Sequence, residues 1–194
     1  MRKYRQEQRP SVAEIEGELT RLKEKKSRNN GIRFIAVLSV LAAAMIIILT
    51  NLWFPVLRVV GSSMQPLLKN DDIILCLNTQ SGIERGDIIA FYQNDRVLLK
   101  RVVGMPGDMV DIDASGVVSI NGEEQKESYA SVLSLEPCDI EFPIEVPENS
   151  YFVLGDQRTT SMDSRSESVG MVTPERIIGK ALLRAWPIDR FRGI

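Results

Sequence analysis

Ser63 lies in the segment Gly61-Ser62-Ser63-Met64-Gln65-Pro66, which could supply a nucleophile. A serine between glycine and proline is usually part of a turn, because Gly and Pro fix backbone angles and Ser satisfies free amides. The chain contains no histidine, so a reactive serine here could not use a Ser-His-Asp triad. It would need another group to accept its proton while it attacks an amide.

Lys100 is the candidate for that group, because it lies in an apolar stretch typical of a strand, Leu98-Leu99-Lys100-Arg101-Val102-Val103. At pH 7 a lysine with an ordinary pKa of about 10.4 has a neutral amine in only about one molecule in 2,500. Burial lowers a lysine pKa by up to about 3–5 units, which removes most of that deficit. The alternative is an exposed lysine on an edge strand, but the apolar neighbours favour a buried base. Because side chains alternate along a strand, we expect Arg101 to point away from Lys100.

These two residues belong to four motifs that follow one another along the chain. They are Ser63-Met64-x-Pro66, then Arg85-Gly86-Asp87, then Lys100-Arg101-Val102-Val103-Gly104-Met105-Pro106-Gly107-Asp108, then Gly155-Asp156-Gln157-Arg158-Thr159-Thr160-Ser161-Met162-Asp163-Ser164-Arg165. In this order they resemble the motifs of bacterial type I signal peptidases, over a region from about Phe34 to the C-terminus. Two positions depart from the family pattern: Leu67 replaces the usual threonine and Gln157 the usual asparagine.

The resemblance implies a serine/lysine endopeptidase that removes signal peptides from exported preproteins, cutting after small residues. Ser63 would be its nucleophile and Lys100 its general base. The resemblance also implies that Ser161 supports the lysine, and that charged residues form a salt-bridged frame around the site: Asp156, Arg158, Asp163 and Arg165. Without the resemblance, these alternating charges would indicate a solvated loop.

Substrate and oxyanion contacts are expected around the same serine. Two segments offer strand edges to an extended peptide, Leu57–Val60 and Val97–Leu99. The tetrahedral oxyanion needs fixed donors, and in some family members a serine two residues before the nucleophile helps. Gly61 stands there in this chain, so the backbone N–H of Ser63 is a candidate donor, Ser62 is another, and the second donor stays open. We expect substrate contacts at Leu57, Val59, Met64, Pro66 and Leu98.

An apolar, uncharged run extends from Phe34 to Phe54, and about 20 such residues are enough for a helix to cross a bilayer. A cleaved signal peptide is the alternative, but this run is too long and lacks a small-x-small cleavage site. Residues 1–33 carry ten Lys and Arg against five Glu, which by the positive-inside rule places them in the cytoplasm. We therefore predict a cytoplasmic segment (1–33), a single transmembrane helix (34–54) in the cell membrane, and an extracytoplasmic peptidase domain (55–194).

The pattern beyond Pro55 predicts a mainly β domain. Short runs rich in Val, Ile and Leu are separated by turn residues, and Asn121-Gly122 is a hairpin signal. Residues 123–145 are less regular, and we interpret them as an insert or long loop. The predicted strands are Val56–Val60, Asp72–Leu77, Asp87–Gln93, Arg96–Val103, Met109–Asp113, Gly116–Ile120, Tyr151–Leu154 and Ile177–Trp186.

Composition argues against nucleic-acid binding and against a metal site. The whole chain has a net charge of −2 and residues 1–33 carry +5, so the remainder is acidic at −7 and is a poor candidate for nucleic-acid binding. Cys76 and Cys138 form no CxxC pair and have no histidines to complete a metal site. We therefore predict no metal and no cofactor, while a disulfide and buried free thiols both stay open.

The expected partners are the signal peptides of preproteins and the lipid bilayer, and the oligomeric state is not specified by the sequence. Two other functions are compatible with parts of the chain. Self-cleaving repressors also pair Ser with Lys, but the apolar run contradicts a soluble DNA-binding chain. The second is a non-enzymatic, membrane-tethered β scaffold or assembly chaperone derived from the same fold, which Leu67 and Gln157 favour and the Ser63–Lys100 pair opposes.

Overall fold

The computed structural model describes residues 12–130 and 132–194, and the chain divides into two compact units, Met1–Leu49 and Thr50–Ile194. Helix α1 runs from Val12 to Trp53, so the apolar run is helical as far as Trp53. Large apolar side chains of this run, among them Phe34, Leu41 and Ile48, are exposed. Within the described residues, no helix combines the length and the apolar character that crossing a membrane requires.

The unit Thr50–Ile194 is built from short strands, which confirms the mainly β prediction. In chain order the strands are β1 (Val56–Arg58), β2 (Ile73–Leu77), β3 (Ile88–Gln93), β4 (Arg96–Gly104), β5 (Met109–Ile112), β6 (Val118–Ile120), β7 (Glu123–Glu124), β8 (Ile144–Glu145), β9 (Phe152–Leu154), β10 (Ile177–Trp186) and β11 (Arg192–Gly193). Two 3₁₀ turns, Pro174–Arg176 and Ile188–Arg190, flank β10.

The described strands form two antiparallel sheets. The larger has the order β1-β2-β10-β3-β4-β9, with β11 paired to β10. The smaller has the order β7-β6-β5-β8. Residues 123–145, which the sequence predicts to be an insert or long loop, contribute β7 and β8 to this second sheet. Asn121 and Gly122 have positive φ angles of 53° and 83°, and they join β6 to β7 as the hairpin signal predicted.

Strand β3 lies in the middle of the domain and is covered on both faces. Ile89 and Phe91 pack into one apolar cluster, whereas Ile88 and Ala90 pack into another. This alternation is the pattern of a central strand whose side chains point to opposite faces of the sheet. Met64, from the segment after β1, joins the second cluster, and Lys100 of β4 pairs with Ile89. Lys100 and the segment that carries Ser63 therefore both lie beside this central strand.

Both cysteines are free thiols in the described structure. Cys76 is buried in β2, and burial raises the pKa of its thiol to about 12. Cys138 is half-buried, and its Sγ lies 3.3 Å from the carbonyl oxygen of Ile140. The sequence left both a disulfide and free thiols open, and in the described structure both thiols are free.

Candidate active site

Ser63 lies in a tight turn that follows β1. Gly61 has a φ of +98°, which favours glycine, and its N–H donates to Asn70 Oδ1 at 2.9 Å. Met64 and Leu68 are buried in the apolar cluster of β3, and the Leu68 N–H donates to the Met64 carbonyl at 2.9 Å. These contacts hold the turn against the apolar cluster and leave Ser63 half-buried.

Lys100 reaches this serine from the middle of β4. Its side chain is buried, with the residue only 2% exposed, and its Nζ donates to Ser63 Oγ at 2.8 Å. When Lys100 is neutral, its amine lone pair can accept the Ser63 proton across the same contact. The exposed edge-strand alternative is therefore wrong: Lys100 is a buried lysine that contacts a serine hydroxyl.

Burial lowers the pKa of Lys100 to about 8, since the folded protein cannot hydrate the ammonium well. Asp163 and Asp156 act in the opposite direction and raise this pKa, and Arg165 lowers it. A lysine with a pKa of about 8 is neutral in about one molecule in ten at pH 7. This is a roughly 250-fold increase over an ordinary lysine.

The segment 155–165 packs directly against the Ser63 turn. The Gln157 N–H donates to the Ser63 carbonyl at 3.0 Å. Gly155 has no space for a side chain, because a Cβ there would lie 2.7 Å from the Ser63 carbonyl oxygen and 2.6 Å from Ser161 Cβ. Ser161 is buried, and its Oγ has no hydrogen-bond partner among the described residues. The structure thus brings Ser161 to the site without giving it a hydrogen bond.

Charged residues of this segment form a buried network and not a solvated loop. Asp163 accepts from Arg165 Nε at 2.9 Å and from the Gly155 N–H at 3.0 Å. Arg165 Nη2 also donates to the Arg158 carbonyl at 2.7 Å. Arg158 Nε in turn donates to the Gly155 carbonyl at 3.0 Å. Because buried charges are tolerated only when they are paired, these contacts fold the segment into a rigid loop behind the serine and lysine.

Three residues of the network were not predicted from the sequence. Arg101 donates to both oxygens of Asp156, at 2.8 and 2.7 Å. Tyr129 stacks on that guanidinium, with 4.2 Å from Arg101 Cζ to the ring centre. Glu127 accepts from Arg158 at 2.7 Å. Burial raises the pKa of Asp156, and the Arg101 hydrogen bonds and charge oppose that shift. The only sequence signal for these partners was the position of Arg101 beside Lys100.

A cleft of about 540 Å³ opens over Ser63 and Lys100. Of the expected substrate contacts, those that line it are Leu57, Val59, Met64 and Leu98. The structure places Pro66 elsewhere, on the wall of a different cavity.

Two strand edges border this cleft. Strand β1 ends the larger sheet and pairs only with β2 among the described strands. Strand β4 pairs with β9 only from Arg101 onward, so residues 97–99 have no partner on that side in the described structure. An extended peptide could add to either edge, as in β-strand addition.

The backbone N–H of Ser63 donates to no acceptor among the described residues. It is therefore available to an oxyanion formed at the cleft. Ser62 is exposed, and Gly61 offers no side-chain hydroxyl.

The chain is similar in sequence to known proteins over most of its length. The family model described as "Signal peptidase, peptidase S26" matches residues 32–186. Signal peptidase I U of Bacillus subtilis is 33% identical over 180 residues, which cover 87% of this chain and 94% of that protein. Signal peptidase I S of the same organism is 31% identical over 180 residues, covering 87% and 97%. The crystal structure of a signal peptidase I from Enterococcus faecalis aligns at 32% identity with a TM-score of 0.42, over 52% of this chain and 97% of that one.

Proposed function

The chain belongs to the signal peptidase family, peptidase S26, and we propose that it is an endopeptidase that cleaves signal peptides from exported preproteins. Ser63 is the nucleophile and Lys100 the general base. The observation that carries this proposal is the 2.8 Å contact between Lys100 Nζ and Ser63 Oγ. It is supported by burial, which lowers the pKa of the lysine to about 8.

In the first half of the reaction, neutral Lys100 takes the proton of Ser63 as Oγ attacks the carbonyl carbon of the scissile amide. The Ser63 N–H donates to the oxyanion of the tetrahedral intermediate. The Lys100 ammonium then gives its proton to the departing amine, which leaves as the new N-terminus of the mature protein. The remaining fragment is held as an ester on Ser63.

In the second half, Lys100 is neutral again and takes a proton from water, which attacks the ester carbonyl. The proton returns to Ser63 Oγ as the ester bond breaks, and the signal peptide leaves as a carboxylic acid, which loses its proton to water. Ser161 and the charged residues Asp156, Arg158, Asp163 and Arg165 position the lysine and the serine turn without exchanging protons.

The substrate lies as an extended strand between β1 and residues 97–99 of β4. Leu57, Val59, Met64 and Leu98 give the cleft apolar walls. Such walls suit a small apolar residue before the cleaved bond, as the family resemblance implies.

The two departures from the family pattern fit this role. Leu67 packs against the apolar cluster that holds Met64. Gln157 keeps its backbone contact to the Ser63 carbonyl, at 3.0 Å. Neither contact depends on the threonine or asparagine that the family usually has.

We also propose that residues 34–54 anchor the protein in the cell membrane, with residues 1–33 in the cytoplasm and residues 55–194 outside. This is supported by the uncharged apolar run and by the cluster of ten basic residues that precedes it in residues 1–33.

The test of the peptidase function is incubation of the purified full chain with a preprotein and measurement of the cleaved product by mass spectrometry. Ser63→Ala should abolish cleavage, whereas Ser81→Ala, at an exposed serine outside the cleft, should retain it. Unchanged processing by Ser63→Ala would reject Ser63 as the nucleophile. If the parent protein cleaves no preprotein, the non-enzymatic scaffold becomes the better proposal.

A further inference from the structure

A second cavity, of about 610 Å³, lies in the unit Thr50–Ile194, between the segment that follows the Ser63 turn and the C-terminal residues. Pro66 and Leu67 form part of its wall. Its most unusual feature is the concentration of positive side chains. Five cationic residues line it, and we call it the basic pocket: Lys69, Arg101, Arg184, Arg190 and Arg192.

Only part of this positive charge is balanced within the protein. Arg101 is paired with Asp156 at 2.7 Å. Arg184 and Arg190 share the single carboxylate of Asp72, at 3.4 and 3.1 Å.

Lys69 and Arg192 contact no carboxylate among the described residues. Among the described residues the five cations therefore contact two carboxylate side chains, Asp156 and Asp72, which leaves a surplus of three positive charges. This surplus stands out because residues 34–194 as a whole are acidic.

Arg190 also has an unsatisfied donor. Its Nη1 is buried and donates to no acceptor in the described part of the chain. The neighbouring Arg184 is satisfied, since Nε donates to the Arg190 carbonyl at 2.7 Å and Nη1 to the Leu67 carbonyl at 2.6 Å. The buried Nη1 atom has no surface for a ligand, but the Arg190 side chain as a whole is 34% exposed and is accessible to a ligand that brings an acceptor oxygen.

We propose that the basic pocket binds a phosphate group, either of an anionic phospholipid or of a soluble phosphate compound. Guanidinium groups match phosphate geometry with paired hydrogen bonds. The pocket is also within the size range of small-ligand sites, so it has room for a phosphate and a polar substituent such as glycerol.

Exposed apolar residues in the same C-terminal segment favour the lipid source. Trp186, Ile188 and Phe191 are 52%, 72% and 62% exposed. Apolar and aromatic side chains beside cationic ones are typical of surfaces that meet lipid headgroups. This binding site stands on the charges of the pocket and does not depend on the peptidase reaction.

The soluble-phosphate arm of the test measures thermal unfolding of the full chain in an uncharged detergent. Inorganic phosphate should raise the melting temperature more than sodium chloride does at equal ionic strength. Lys69→Gln and Arg192→Gln change exposed side chains, so both variants should fold. Each substitution should raise the dissociation constant for phosphate, obtained from the dependence of the melting temperature on phosphate concentration, about tenfold. This corresponds to about 1.4 kcal/mol of binding free energy. Lys126→Gln, at another exposed lysine that forms no ion pair with the described residues, is the matched control and should respond as the parent does.

The lipid arm adds short-chain phosphatidylglycerol or phosphatidylcholine to the same micelles at equal mole fraction. A larger stabilisation by phosphatidylglycerol, lost in Lys69→Gln but kept in Lys126→Gln, identifies a lipid headgroup. A response to inorganic phosphate with no difference between the two lipids identifies a soluble phosphate. The proposal is overturned if inorganic phosphate stabilises the parent no more than sodium chloride does and phosphatidylglycerol no more than phosphatidylcholine does. It is also overturned if Lys69→Gln and Arg192→Gln keep the full stabilisation.

Discussion

Replacing Lys100 by methionine should make the protein more stable at neutral pH while removing its activity. Methionine has an unbranched side chain that fills an apolar site without a charge. The parent protein buries an amine whose pKa falls from 10.5 to about 8 on folding. At pH 7 the folded state therefore holds an ammonium that it cannot hydrate, and Lys100→Met removes that cost.

The size and sign of the effect follow from the two pKa values. The shift from 10.5 to about 8 corresponds to about 3 kcal/mol of destabilisation at pH 7, where both states are protonated. Between pH 8 and 10.5 the unfolded chain binds more protons than the folded one, so the stability of the parent rises with pH. Loss of the hydrogen bond to Ser63 offsets about 1 kcal/mol. We expect Lys100→Met to be about 2 kcal/mol more stable than the parent at pH 7 and about equal to it at pH 10.

Urea unfolding of the full chain in an uncharged detergent, followed by circular dichroism, measures this difference at both pH values. Lys180→Met is the control, because the Lys180 ammonium is partly exposed and lies 2.7 Å from Asp87. Losing such a pair should cost at most about 1 kcal/mol at either pH. A Lys100→Met protein that is less stable than the parent at pH 7, or that differs from it equally at pH 7 and pH 10, would refute the desolvation argument.

Three other outcomes can be measured. The initial rate of preprotein cleavage should rise about tenfold from pH 7 to pH 9 as Lys100 loses its proton, with a midpoint near 8; a midpoint near 10.4 would exclude Lys100 as the base. Asp156→Asn leaves the buried Arg101 guanidinium without its carboxylate and should lower the free energy of unfolding by about 3–5 kcal/mol. Asp95→Asn, at an exposed turn, is the control and should change this free energy little. Equal effects of the two variants in urea unfolding would contradict a structural role for the Arg101–Asp156 pair. Protease added outside spheroplasts should digest a tag at the C-terminus and spare one at the N-terminus, and the reverse pattern would overturn the proposed topology.

The proposed catalytic pair, Ser63 and Lys100, was predictable from the sequence because most of its signals are local. The absence of histidine and the apolar surroundings of Lys100 pointed to a buried lysine base, and the structure places that lysine 2.8 Å from Ser63. Eight of the eleven described strands were predictable for the same reason, since their apolar runs and turn residues are adjacent in the chain; the two-residue strands β7, β8 and β11 have no such run and were not predicted. Six of the eight predicted strands extended one or two residues too far at one end, for example β1, which ends at Arg58 and not at Val60; the predicted β4 was one residue too short, and β10 was correct at both ends.

The charged network was predictable only by resemblance, because its partners are distant in sequence. Arg158 and Glu127 are 31 residues apart, and nothing near either residue indicates the other. Arg101 was expected only to point away from Lys100. A buried charge and a solvated charge have the same local pattern, and only the tertiary contacts distinguish them.

The network has a consequence for the lysine that it surrounds. Asp156 and Asp163 both raise the pKa of Lys100, which alone would keep the amine protonated and unreactive. Each carboxylate is also paired with an arginine: Asp156 with Arg101, and Asp163 with Arg165. Because a carboxylate and an adjacent guanidinium largely cancel at the distance of a third group, desolvation remains the largest influence on the lysine. Arg165 lowers the pKa of Lys100, so it partly offsets the carboxylates that hold the loop beside the serine, and Lys100 keeps a pKa low enough for a general base.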